Sequence, residues 1–187
     1  MKGVMFTTFE DFVIDNFGHD ALDALYDAVP EVGDAVFVAV DSYPDAWLLA
    51  LLGKACEMTG LDRDTALRAF GTYTLKKLVA AHPVFTDAHD HPKPFLMAVH
   101  GVIHVEVHKL MPGATTPSIL CTDTGPDSLG MEYRSERGLC TLAEGLLEGA
   151  CEHYGVGVTH THDSCKHRGD DACTWSIQFA PVEAAVS

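Results

Sequence analysis

Tyr133-Arg134-Ser135-Glu136-Arg137 carries a tyrosine, a serine and an arginine at i, i+2 and i+4. In an extended segment alternate side chains share a face, so two hydroxyls and a guanidinium would point the same way. The guanidinium is a planar fork that matches a carboxylate bidentately, through the stronger, charge-assisted class of hydrogen bond. Such a face suits a dianionic, carboxylate-bearing ligand; the plain alternative is a polar strand edge facing water. Further along, His162-Asp163-Ser164-Cys165 is followed by Cys173, and Cys140 lies shortly after Arg137. One histidine and three cysteines form a set suited to a tetrahedral structural zinc. His160 and His167 are alternative ligands. The same set admits thiol redox chemistry, since loss of metal would free three thiols of which two could join as a disulfide. Buried cysteines beside an exposed histidine are the plain alternative. Cys56, Cys121 and Cys151 have no such grouping and read as packing residues.

His100, His104 and His108 are each four apart, on one stripe of a helix expected over Phe95–Met111. A projection at about 3.6 residues per turn puts Leu96, Val99, Ile103, Val107 and Leu110 on one face. His100 and His104 fall on its edge and His108 towards the polar side. Both His100 and His104 are therefore open as an axial ligand to a haem iron. A histidine-pair metal site lacks a third ligand, because Glu106 faces away. A solvated stripe beside a core face is the plain alternative.

The elements that must position these groups change character along the chain. Helices are expected over the stretch from Phe6 to Phe17 with a stop at Gly18, over Ala21–Ala28, over Asp45–Thr59 with a stop at Gly60, and from Leu61-Asp62 onwards. His82–Pro94 reads as a loop. After the Phe95–Met111 helix come a strand at Ser118–Cys121, a turn over Thr122–Ser128 and a strand at Leu129–Ser135, forming a hairpin. A helix over Leu139–Tyr154 and strands at Val156–His162 and Thr174–Phe179 follow. The class is α+β: a helical N-terminal part, then an antiparallel sheet with one helix inserted. Ala180–Ser187 reads as a loose tail.

The chain has 187 residues, 47% of them apolar, and a formal net charge of −15. That size and composition predict one domain. The acidity disfavours nucleic acid and anionic membrane surfaces as partners. No apolar run approaches the roughly 18 residues of a membrane span. Glu10 and Asp11 interrupt any signal-peptide core. A cytoplasmic location is expected, where cysteines are thiols or metal ligands more often than disulfides.

Taken in order, the opening Met1-Lys2-Gly3, the helix histidine, Met111-Pro112-Gly113-Ala114, Thr116-Pro117-Ser118 and Tyr133-x-Ser135-x-Arg137 closely resemble the H-NOX domain. This is the haem nitric oxide/oxygen-binding family related to the haem domain of soluble guanylate cyclase. The resemblance runs from Met1 to about Phe179 and implies one haem-binding domain over residues 1–180, with a helical lobe over about 1–60 and a tail at 181–187. It assigns His104 as the axial ligand of haem b, eight residues before Pro112. It matches Tyr133, Ser135 and Arg137 to the residues that bind the haem propionates, Pro117 to the proline that distorts the haem, and Phe9 and Leu142 to the distal pocket. The oxygen-binding branch carries a distal tyrosine where this chain has Leu142, so the resemblance implies a nitric oxide sensor that is not an enzyme. Thr74, and more weakly Tyr73, could supply a distal hydroxyl and support O₂ binding instead. Nitric oxide is expected to weaken the bond between iron and His104 and shift the histidine helix. The sequence shows no output segment, so a partner is expected to read the state, typically a histidine kinase or a cyclic-di-GMP enzyme. One subgroup of stand-alone members carries the same Cys…His-x-x-Cys…Cys arrangement, which assigns zinc to Cys140, His162, Cys165 and Cys173.

Overall fold

The computed structural model describes residues 1–33 and 35–181. Helix α1 (Gly3–Phe17) ends at Gly18 and runs into α2 (His19–Asp27). Helix α3 (Asp45–Thr59) follows Pro44 and stops at Gly60, whose φ of 72° is a left-handed conformation that glycine adopts without a Cβ clash. Asp62 caps α4 (Arg63–Ala81) by accepting a hydrogen bond from the Thr65 N–H at 2.9 Å. Phe6, Phe9, Leu25, Leu51 and Phe70 form the core of this part together with Leu139 and Leu142 from further along the chain.

The expected His82–Pro94 loop contains structure. Val84–Asp87 makes one helical turn, α5, and α6 (Pro92–Ala98) begins at Pro92, a residue preorganised for the first turn. The expected single helix over Phe95–Met111 is broken. Val99–Ile103 is π-helical, and α7 (His104–Leu110) follows it. The segment holds three β-branched residues, which crowd a regular α-helix, and Gly101, around which a side chain would meet nothing within 4 Å. A π turn adds a residue to the repeat, so a projection at 3.6 residues per turn does not carry across it. Leu110, placed by that projection on the apolar face, is 66% exposed.

Strand β1 (Ser118–Gly125) runs past Cys121, leaving Pro126 and Asp127 as the turn into β2 (Ser128–Arg134). Helix α8 (Cys140–Tyr154) precedes β3 (Val156–Ser164); a short 3₁₀ turn at Lys166–Arg168 leads to β4 (Cys173–Pro181). All pairings are antiparallel, in the order β1-β2-β4-β3. Ala180 and Pro181 belong to β4 and not to the expected tail, because both pair with β3; residues 182–187 lie outside the described residues. Leu129, Met131, Trp175 and Ile177 of the sheet pack on Leu147, Ala150 and Cys151 of α8. Helices α4 and α8 link the two cores and meet backbone to backbone. A Cβ on Gly145 would lie 2.1 Å from the Arg68 carbonyl oxygen, and one on Gly71 would lie 2.4 Å from that of Leu142.

Candidate functional site

Cys140 opens α8, His162 lies near the end of β3, Cys165 follows β3 and Cys173 opens β4, and their ligand atoms all lie within 4.8 Å of one another. The ladder register breaks between His162 and Ser164, an irregularity of the kind that re-aims side chains near functional sites. The Asp170 carboxylate accepts from the Cys165 N–H at 2.7 Å, and the Lys166 N–H donates to the Cys173 sulfur at 3.4 Å. Cys165 Sγ is 3.8 Å from Cys140 Sγ and 3.8 Å from Cys173 Sγ. Four ligands around a zinc with Zn–S of about 2.3 Å leave sulfurs about 3.8 Å apart, whereas a disulfide needs about 2.05 Å. The spacing fits a tetrahedral ion and shows the thiols unbonded. Burial pushes the Cys140 thiol up to about 12, and the adjoining thiols push it the same way. Burial raises Cys173 as well. A bound cation inverts that balance by stabilising thiolates.

Of the alternative histidines, His160 Nε2 pairs with Glu148 at 3.1 Å and His167 Nε2 with the Gly138 carbonyl at 2.8 Å, and neither ring belongs to the cluster of ligand atoms. His162 differs. Its Nδ1 faces Glu144 at 2.9 Å, and its Nε2 is buried without a partner. Sequence reasoning passed over Glu144. Its signal was a carboxylate four residues after Cys140 and four before Glu148, between the apolar Ala143 and Leu147.

His104 opens α7 directly after the π segment. It is half-buried, and its Nδ1 is buried without a hydrogen-bond partner. Burial lowers its pKa from 6.5 to about 4; the charges of His100 and His108 push the same way and the Pro117 backbone opposes them. His100 is exposed, with its ring centroid 6.4 Å from that of His104. His108 Nε2 lies 3.0 Å from Thr116 Oγ1. Of the three histidines on the stripe, only His104 has a ring nitrogen that is both buried and unpaired. Pro117 stands just before β1.

Tyr133 is buried near the end of β2, across from Cys173. Because β2 ends at Arg134, Ser135 and Arg137 leave the strand, and the alternation of an extended segment stops before them. Contact is restored by a turn. Ser135 Oγ accepts from the Arg137 N–H at 3.2 Å, and burial raises the pKa of Tyr133. The Arg137 fork is engaged. Nε donates to Asp45 Oδ2 at 2.6 Å, and the terminal nitrogens donate to the Thr115 carbonyl at 2.8 Å and to Thr115 Oγ1 at 2.5 Å. The Met1 ammonium donates to Asp45 Oδ1 at 2.5 Å. The guanidinium thus holds a carboxylate, and it is the protein's own. Nothing in the sequence spacing pointed to Asp45 or Thr115.

Phe9 and Leu142 lie in one core, with Phe9 edge-on to Phe70 at 5.4 Å between ring centroids. Thr74 is 1% exposed, and its hydroxyl has no partner. The Tyr73 hydroxyl is bound to Asp15 at 2.5 Å on the surface.

The profile of the Haem-NO-binding family matches residues 2–162. The chain belongs to that family. Among solved structures it resembles the H-NOX protein from S. oneidensis in its Fe(II)NO ligation state, with 30% identity, a TM-score of 0.90 and coverage of 96% of this chain and 99% of that one. It also resembles the Shewanella oneidensis H-NOX domain in its Fe(II)CO state, with 30% identity, a TM-score of 0.88 and coverage of 95% and 98%. The Fe(II) unliganded H-NOX protein from K. algicida, at 24% identity, shares the fold with a TM-score of 0.85 over 100% of both chains. No curated protein matches the chain. The resemblance to H-NOX thus holds over the helices and the four-stranded sheet alike.

In this Haem-NO-binding chain, His104, half-buried and beside the Pro117 backbone, could serve as the haem-iron ligand. The Arg137 fork, with Tyr133 and Ser135, fits a carboxylate. Cys140, His162, Cys165 and Cys173 could hold a second metal of zinc type. No helix among the described residues is long and apolar enough to cross a membrane.

Proposed function

We propose that the chain is a non-enzymatic sensor of nitric oxide built around haem b. Haem, when bound, would supply a ferrous iron that takes a diatomic gas. His104 would be the residue that ligates it. Tyr133, Ser135 and Arg137 hold the propionates, with the fork of Arg137 turning from Asp45 or sharing its donors with it. Pro117 presses on the ring. The observation that carries the reading is Leu142, buried with Phe9 and Phe70 in an apolar core. A leucine donates no hydrogen bond to the partial negative charge that O₂ would develop, whereas nitric oxide binds ferrous haem without that help. His104 would hold the iron to α7, so that loss of this bond on nitric oxide binding would free α7 to shift against the sheet and bias a two-state element. A histidine kinase or a cyclic-di-GMP enzyme reads the state. Zinc on Cys140, His162, Cys165 and Cys173 secures the start of α8 to β3 and β4, as in the zinc-carrying subgroup.

A second reading, an O₂-binding protein, is favoured by the buried, unpartnered hydroxyl of Thr74. Tyr73 gives it no support, because its hydroxyl is spent on Asp15. Recording the ferrous protein under argon, in air and with nitric oxide separates the two. The sensor reading expects the same spectrum in air as under argon and a new one with nitric oxide; a stable change in air that reverses on removing O₂ establishes the second.

A further inference from the structure

We infer that Glu144 is the positioning residue of the Cys140–His162–Cys165–Cys173 centre, fixing His162 so that Nε2 is its ligand atom, with Arg68 of α4 holding Glu144 in place. The inference rests on the proposal that these four residues bind a metal. Glu144 is 4% exposed and is the one charged side chain among the buried residues of α8. A buried carboxylate is tolerated when it is paired and hydrogen-bonded. Here Oε1 accepts from Trp175 Nε1 at 2.8 Å and faces His162 Nδ1 at 2.9 Å, while Oε2 is bound by the Arg68 guanidinium. The second arm of Arg68 reaches Glu148 at 2.6 Å. The imidazole is stacked on Trp175, with ring centroids 4.4 Å apart and planes 25° apart.

These contacts fix all three freedoms of the ring. Trp175 sets its plane, Glu144 sets its rotation, and acceptance by the carboxylate places the proton on Nδ1. One polar atom of the group remains, His162 Nε2, and it is buried without a partner. A structural ion pair between Arg68 and Glu144 explains the carboxylate but gives no reason for an imidazole with one nitrogen satisfied and the other left bare beside three thiols. A carboxylate on the far nitrogen of a ligating histidine explains both, since such partners fix the tautomer and raise the basicity of the ligand. Because Arg68 belongs to α4, the centre is tied to a helix that contributes no ligand.

The test uses the full chain loaded with zinc. Long-range proton–nitrogen NMR correlations of the His162 ring read which nitrogen carries the proton and which the metal, without any substitution. Chelator competition reads zinc affinity for the wild type, Glu144→Gln and Glu148→Gln. The expected results are a protonated Nδ1 with a metal-bound Nε2, an affinity lowered about 10–100-fold in Glu144→Gln, and an unchanged affinity in Glu148→Gln. Glu148 touches Arg68 and His160 but no ligand, so an equal loss in both variants would reduce Glu144 to a structural member of the ion-pair network. Metal on Nδ1, or an unchanged affinity in Glu144→Gln, overturns the inference while leaving the metal centre standing. A wild type that takes up no zinc overturns the centre itself, and the inference with it.

Discussion

At His104, burial and the two neighbouring histidines disfavour a proton, so the folded chain binds it less readily than the unfolded chain does. Where the unfolded state holds more protons, stability rises with pH. The haem-free protein is therefore expected to lose stability as pH falls from 6.5 towards about 4, the unfolded and folded values for this ring. Denaturant midpoints across that window check this, and His104→Gln should flatten the slope. In the same position His104→Gly should abolish haem retention and added imidazole should restore it, while His100→Gly should keep its haem; absorption spectra of the purified variants read both. The chemistry of these residues was legible in the sequence as types and spacing. Their partners were not. Asp45, which engages Arg137, and Glu144, which faces His162, are brought in from 92 and 18 residues away, and no local pattern connects them.

At the scale of elements, local signals set most boundaries. Asp45–Thr59 was readable because Pro44 and Gly60 bracket it and an apolar face fills it. The histidine helix was not readable as it stands, because the periodicity argument presumes an uninterrupted repeat and Val99–Ile103 inserts a π turn immediately before His104. Likewise, the strand carrying Tyr133 ends sooner than its alternation implied, so a turn delivers Arg137. The contact between α4 and α8 depends on glycine. A methyl group at Gly145 would meet backbone atoms of Arg68, the nearest at 2.1 Å, and backbone cannot rotate away as a side chain can. Gly145→Ala should destabilise the protein by about 1–3 kcal/mol or more, the usual cost of overpacking, seen as a lower urea midpoint with an unaltered slope.

Over the whole molecule, the α+β class and the antiparallel sheet followed from the shift in texture after Pro112, whereas the strand order β1-β2-β4-β3 depends on long-range pairing that no local signal specifies. The two candidate sites join distant parts of the chain. The residues that could hold a metal come from α8, β3, β4 and the segment between the strands, so an ion binding only the folded arrangement would stabilise it by mass action. Chelation at neutral pH should lower the thermal midpoint, and Cys173→Ser should start at the lower value and not respond to chelator.

The proposed sensing mechanism requires His104 to give up its hold when nitric oxide arrives. Adding nitric oxide to the ferrous protein and recording the equilibrium Soret and electron paramagnetic resonance spectra answers that directly. The prediction is a five-coordinate complex, in which His104 has left the iron; a six-coordinate complex that persists at equilibrium, with His104 still bound, would contradict it.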